Sequence, residues 1–587
     1  QTDFAYSGSG LSQNERDTIV IGTAVFGLGA NTISAETFNP DGMADPVPAN
    51  NETEVSNLYA ALNGTYTIGG GMPDFWDFSA TANQLNLGGV VGPVTMNIRN
   101  GTYEEQLVLE EIPGSSSANT LLFQSESGDS SAVILRWGDG SPLILDGTDY
   151  ATFKQISIEG NSSSNDVVTL QNGANHVEIS NCDLVLDFYN STGAVVNNDN
   201  TTLDSFLIVR NCRLENGLHG VYAQAPLFQK ESGVVIENNE VVNTKGHGIF
   251  LAEQGEVSVI GNRVQINQTG YTGIYLFGCS AGSEVSKNKI NVPSGSGLNA
   301  SNLFGSAANP VLIANNFIVV GEGYTGNNPL RGVELYFGSH VHFYHNNVRV
   351  SGTNSDNRAF YNHFGTDKKF FNNVLANVGT GGFAIYNQST GSNFQSNHND
   401  LLSRGQNLGH WNGSTAATLA NWQTATGQDL NSISEDPFFL SPLDLHVQNI
   451  YLDGAGLAVS EVSDDMDGET RNATTPDIGA DEFAVSPNNA GMVAILAPES
   501  GCGLGAQNVT IRMRNYTAGP LTGFDVSYQL SGGATVTENV GGLVLPAHST
   551  ADYTFAQTAN FANSGSFDLT AWTAVAGDGF AGNDTLA

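Results

Sequence analysis

The sequence is short of charge, and above all of positive charge. Of 587 residues, 20 are Lys or Arg and 58 are Asp or Glu, a formal net charge of −38. Charged residues make up 13% of the chain, against about 25% in ordinary soluble domains. Such a balance works against binding nucleic-acid phosphates or inserting at an anionic membrane surface. It leaves divalent cations, neutral sugars and basic partners. Cysteine is scarce too: four residues, with no Cys-x-x-Cys or Cys-x-x-His pair, exclude a disulfide scaffold and a zinc finger. No apolar run approaches the roughly 20 residues of a membrane-spanning helix. The chain opens at Gln1-Thr2 without a basic stretch and an apolar run behind it, which reads as a signal peptide already removed. Helical spacing of apolar residues is nearly missing.

What is present is glycine, 69 residues, and a repeat. Between about 175 and 402 a phrase recurs: aliphatic, x, aliphatic, x, Asn, Asn or Cys, x, aliphatic. Its equivalent positions read Cys182, Cys212, Asn239, Asn262, Asn288, Asn316, Asn347, Asn373 and Asn399, with steps of 23 to 31 residues. Period-2 alternation makes each phrase a strand with one face inward. Asn at a fixed turn tolerates left-handed geometry and can bond to the next coil as a ladder, with Gly at other corners. The expected fold is all-β: a right-handed parallel β-helix, a solenoid of stacked coils. A second strand follows in each coil, as at His219-Gly220-Val221-Tyr222 and His247-Gly248-Ile249-Phe250.

The flanks divide the chain further. Residues 1–60 hold a β-like run, Thr18 to Phe26, and a Pro/Asn-rich loop of unclear fold. Residues 61–486 read as the β-helix, its first coil near 94–109 and a capping helix from Phe78 to Leu87 with Ser79 as N-cap. Residues 487–587 carry short alternating strands between Gly/Pro/Asn turns, as at Val509 to Met513 and Phe524 to Tyr528, the pattern of an immunoglobulin- or fibronectin-like β-sandwich.

Three stretches carry the resemblance of this chain: Gly89 to Gln106 with the Asn-ladder coils, Pro476-Asp477-Ile478-Gly479-Ala480-Asp481-Glu482-Phe483, and the final segment with Ser500 to Gly505 and Asn583 to Leu586. Over about residues 60–587 they resemble secreted right-handed β-helix proteins of Bacteroidota, followed by an adhesin-like sandwich module. The resemblance implies architecture, an extracellular or cell-surface location and export by type IX secretion. Such proteins commonly end in a sorting domain that this sequence lacks, so a processed chain or part of a longer polypeptide is expected. The class holds surface proteins beside polysaccharide-active enzymes.

Three groups of side chains are candidates for function. Tyr222, Phe250, Tyr275, Tyr361 and Tyr386 share one position of the second strand, interrupted by Asn299 and Glu334. If Val221, Ile249 and Ile274 point inward, these rings point outward, as a platform for sugar faces or as a stack that only stabilises the coils. Basic residues gather nearby: His219, His247, Arg331 and Arg358 three positions earlier, with Lys245 beside them and His340, His342 and His345 one strand on. A polysaccharide lyase needs a base and a cation, and a glycoside hydrolase two facing carboxylates. That makes Lys245, His247, Arg331 and Glu334 catalytic candidates, with Asp367 as a second carboxylate. Asp464, Asp465, Asp467 and Glu469 offer hard oxygens that suit Ca²⁺, or form a solvated turn closing the last coil. No cofactor is required. Cys182 and Cys212, in register in successive coils, read as stacked buried thiols rather than a disulfide.

These observations give a secreted or surface-attached adhesin-like structural protein, contacting extracellular polysaccharide or other cell-surface components along one β-helix face. The alternatives are a polysaccharide lyase or glycoside hydrolase acting in the same groove, and a fibre or spacer subunit without ligand.

Overall fold

A computed structural model describes residues 4–586, apart from 6–9, 13, 39–42, 162–165, 187–191, 199–200, 389–392, 485–487, 500, 502–504, 518, 532, 563–565 and 579–580. Cys502 therefore lies outside the described residues. The chain from Leu62 to Ala416 winds into a solenoid of three sheets, with 13, 12 and 13 strands. Within each sheet neighbouring coils pair in parallel, save for one antiparallel strand, Ser414–Ala416, at the end of the third. Sheet one contains Glu178–Ser180 and Ile208–Arg210, sheet two Asp183–Leu186 and Arg213–Glu215, and sheet three His219–Gln224 and Ile249–Ala252. Alternation does the sorting: Leu121, Phe123 and Ser125 are buried while Leu122 and Gln124 are half-buried. One apolar core runs from Leu62 to Trp422.

The corner between sheets one and two divides its labour between two residues. The first is left-handed: Asn181, Asn211, Asn238, Lys287, Asn315, His345, Asn372 and His398 all have φ between 51° and 63°. The second points inward and builds the ladder. Asn288 Oδ1 accepts from the N–H and the Nδ2 of Asn262 at 2.9 and 3.0 Å, and its Nδ2 donates to Val259 O at 2.8 Å. The series begins where Cys212 N–H donates to Asn239 Oδ1 and ends where Asn399 N–H donates to Ser432 Oγ. Cys182 and Cys212 occupy ladder positions as buried free thiols. In one coil the ladder residue is Asn346, not Asn347: His345 takes the left-handed turn, so Asn346 is the residue behind it. Asn347 faces outward and bonds Leu445 O and Ala480 N–H.

Glycine serves space as well as turning. A Cβ on Gly248 would lie 2.3 Å from Val264 Cγ1 and 2.6 Å from Gly273 O, so bare backbone is what lets sheet three close against sheet two.

Both ends of the solenoid are capped by a helix. Helix α1, Phe78–Gly88, covers the first coil with Phe78 and Leu85. Its N-cap is Asp77, which accepts from Ala80 N–H, and not Ser79, whose N–H is instead taken by Glu105. Helix α2, Leu419–Thr426, seals the last coil with Trp422, fully buried and donating to Asp429 Oδ2 at 2.7 Å. Thr18 to Phe26 forms no strand; the N-terminal hairpin is Asn31–Glu36 with Glu52–Leu58.

Beyond α2 the chain turns back. Residues 429–484 run along the outside of sheets one and two and bury residues that would otherwise face water. Leu445, Met466 and Ala480 pack on Phe317 and Val319, and Val447, Leu452 and Ile478 on Val374. Phe317–Val320 is buried at every position for this reason, as strands covered on both faces are. The acidic stretch belongs to this return segment and is not a turn closing the last coil. The segment 490–586 forms a β-sandwich with its own core around Ile511, Met513 and Val526. It touches the return segment through Tyr516 on Phe438, His548 on Tyr451 and Asn583 on Gln448.

Candidate functional site

Sheet three carries the aromatic column in strict register: Tyr222, Phe250, Tyr275, Asn299, Glu334, Tyr361, Tyr386 and His410 sit at one position of successive coils. Val221, Ile249 and Ile274 are fully buried, so the column faces outward. The rings are not a flat platform, however. Tyr222, Phe250 and Tyr275 lie with centroids 4.8 and 5.1 Å apart and planes 6° from parallel. Phe250 spends both faces on its neighbours, and Tyr222 and Tyr275 spend one each on Phe250. Tyr361 meets Tyr386 edge-on at 71°, and Tyr386 stacks on His410 at 3.9 Å.

Three residues earlier runs a second column: His219, His247, Thr272, Ser296, Arg331, Arg358 and Phe383. His219 and His247 stack at 5.4 Å. His219 Nδ1 accepts from His247 N–H, and His247 Nδ1 from Thr272 N–H, both at 3.1 Å, which requires neutral imidazoles. Burial agrees, pushing the His219 pKa down to about 4 and lowering that of His247.

Where Asn299 and Glu334 interrupt the rings, the two columns form a polar centre. Glu334, 8% exposed, accepts from Ser296 Oγ at 2.6 Å, Asn299 Nδ2 at 3.0 Å and Tyr336 Oη at 3.2 Å, with Arg331 Nε at 3.6 Å. Arg331 also reaches Asp356 Oδ2 at 2.7 Å, and Arg358 reaches Asp356 Oδ1 at 2.5 Å. The Arg358 guanidinium lies 3.7 Å over the Tyr386 ring and 4.3 Å over that of Tyr361. The two arginines hold the Asp356 carboxyl below its usual range against the opposing pull of burial. Burial and the Glu334 charge raise the Tyr336 phenol. This centre holds charge firmly and presents hydroxyls, amides and a carboxylate in fixed directions.

The catalytic candidates do not all meet here. Arg331 and Glu334 do, but His247 is three coils away along its column, about 14 Å at the spacing of strands in a sheet. Lys245 sits at the turn before His247, its N–H donating to Gly217 O. Asp367 accepts from Asn393 at the corner toward sheet one, and no contact among the described residues joins it to Glu334. His340 lies before, His342 within and His345 just after a sheet-one strand, Val341–Tyr344. His342 meets Glu461, and His345, fully buried, meets Gly479 O of the return segment. Sequence reasoning missed Tyr336 and Asp356. Tyr336 lies two positions past Glu334 and was legible from alternation, whereas Asp356 enters from an irregular loop.

The calcium candidates are largely committed elsewhere. Asp465 is buried, and its oxygens accept from the N–H groups of Asp467, Glu469 and Glu482. Asp464 pairs with Lys287 at 2.5 Å and Asp467 with His446 at 2.7 Å, while Glu469 faces solvent. His446, Asp467 and Asp481 do converge within 4.8 Å. Against the cost of burial, hydrogen bonds to Asp444 and Asp467 raise His446 to about 9, so the imidazolium is itself the cation of that cluster.

A family model described as a right handed beta helix region matches residues 142–318. The solenoid is a right-handed parallel β-helix. Among solved structures, the β-helix chain is similar to PfbA, a surface adhesin of Streptococcus pneumoniae, at 13% identity, covering 56% of this chain and 87% of that one with a TM-score of 0.26. A likeness at that level carries nothing about activity. No curated protein matches the chain. Among the described residues no helix is long and apolar enough to cross a membrane.

Proposed function

We propose that this protein is an extracellular or cell-surface, adhesin-like rod that contacts carbohydrate along the outer face of sheet three. The contact centres on the polar break at Asn299 and Glu334 rather than on ring faces. Secretion by a type IX route and an immunoglobulin-like nature for the C-terminal sandwich belong to the same reading. One observation carries it: on a rigid β-helix wall, Ser296, Asn299, Glu334 and Tyr336 form a held hydrogen-bonding array between two aromatic groups. Small-molecule ligands are oriented by a few precisely placed polar groups among apolar and aromatic side chains.

The test is a glycan array, paired with assays for new reducing ends and for unsaturated products on the glycans bound. Binding without product is expected. Turnover abolished by Glu334→Gln would make the protein an enzyme, and binding to no glycan would leave a spacer.

A further inference from the structure

We infer that the ligand of this face is an uncharged, extended polysaccharide, and that anionic glycans are refused. The inference rests on the carbohydrate reading above and adds the chemical class of the ligand. An anionic sugar is recognised by a guanidinium, ammonium or imidazolium with a free side toward it. Both arginines of the polar centre are already spent. Arg331 is tied to Glu334 at 3.6 Å, to Asp356 at 2.7 Å and to the carbonyls of Leu330 and Asp356. Arg358 is tied to Asp356 and covered by two tyrosine rings.

Two arginines against Glu334 and Asp356 sum to zero. The stacked His219 and His247 accept hydrogen bonds through Nδ1 and carry no charge. Lys245, near the far end of the face, is itself engaged with a neighbour. The chain around this neutral strip bears a net charge of −38, which repels a polyanion at any distance the salt does not screen. What remains for a ligand are hydroxyls, amides and ring edges. Coils follow one another along the axis about every 4.8 Å, so an extended chain lying along the solenoid passes from one group of rings across the polar break to the other.

The experiment measures binding of the full chain to neutral glucans, xylans and mannans beside polygalacturonate, alginate and heparin, each at low and high salt. Binding to a neutral glycan, altered less than about twofold by salt, and weakened by both Glu334→Gln and Tyr336→Phe is the expected result. Asp356→Asn leaves Arg358 with no carboxylate and Arg331 with Glu334 alone, and is expected to gain about tenfold in affinity for the polyanions, a gain that high salt removes. If that variant fails to fold, Glu334→Gln leaves two guanidiniums against the single carboxylate of Asp356, and a salt-sensitive gain for the polyanions is again expected. Salt-sensitive binding of the unsubstituted chain to a polyanion would overturn the inference while leaving the carbohydrate reading intact. Neutral binding indifferent to both Glu334→Gln and Tyr336→Phe would overturn it by placing the contact elsewhere. Failure to bind any glycan would overturn the reading itself.

Discussion

At the scale of single residues, the least expected group is Lys368. It is 1% exposed inside the solenoid, with its ammonium held by Asn362 Oδ1 at 2.7 Å and Phe364 O at 2.6 Å and, among the described residues, by no carboxylate. Burial alone pulls its pKa from 10.5 to about 7. A base whose folded pKa is depressed favours the folded state in its neutral form. The contribution of Lys368 to stability is thus greatest above pH 10.5, falls as the pH drops to about 7, and stays level below. Lys368→Met lacks that dependence. Its stability relative to the parent chain, read from urea midpoints, is expected to shift on the order of 5 kcal/mol in the parent's favour as the pH is raised across this window. A constant difference would show that the ammonium finds a counter-charge. Nothing in the sequence marked this residue, because a lysine in an Asp-Lys-Lys turn reads as solvated until the inward side of the corner is known.

At the scale of the repeated element, the coil was legible because its signal is local and recurs. The alternation and the residue behind each turn were enough to place two strands of each coil and most of the ladder, whereas the Asn phrase, read as one strand, bends at its turn into two strands of different sheets, as at Glu178–Ser180 and Asp183–Leu186. The misplacement at Asn347 shows the limit. In an Asn-Asn doublet either residue can take the left-handed turn, and only His345 standing before Asn346 settles which one did. The column of rings was legible by register, but not the way its faces are used, since stacking depends on side-chain rotation and not on spacing. The ladder predicts a graded cost. Asn288→Ala strands the N–H and Nδ2 of Asn262 and deprives Val259 O and Asn316 Oδ1 of the Asn288 Nδ2 that donates to them. A loss of about 3 kcal/mol is expected by chemical denaturation. Asn288→Cys, copying Cys182 and Cys212, should cost less than that, and equal costs would mean the ladder acts only by filling volume.

At the scale of the whole molecule, the return segment was the part that the sequence hid. Its partners lie far away along the chain: Asp464 holds Lys287, Arg471 holds Asn315, and Asn347 holds Ala480. The sign of it was a failure of alternation at Phe317–Val320, an irregularity easily taken for a buried strand and no more. Met466→Asp places a charge against Phe317 and Val319 without altering a coil. Limited proteolysis is expected to cut between 429 and 484 while the far-ultraviolet β signal persists. Simultaneous loss of the β signal would show that segment and solenoid unfold as one unit.

That route of the chain also decides how the molecule bears load. The sandwich rests on residues 438–451 and joins the chain after the return segment, not after the last coil. A pull on the sandwich therefore reaches the many lateral bonds of that strap together, in shear, before it can peel the final coil from the stack one strand at a time. The doubled-back chain works as a strain relief, as a cable is clamped along its housing ahead of the joint.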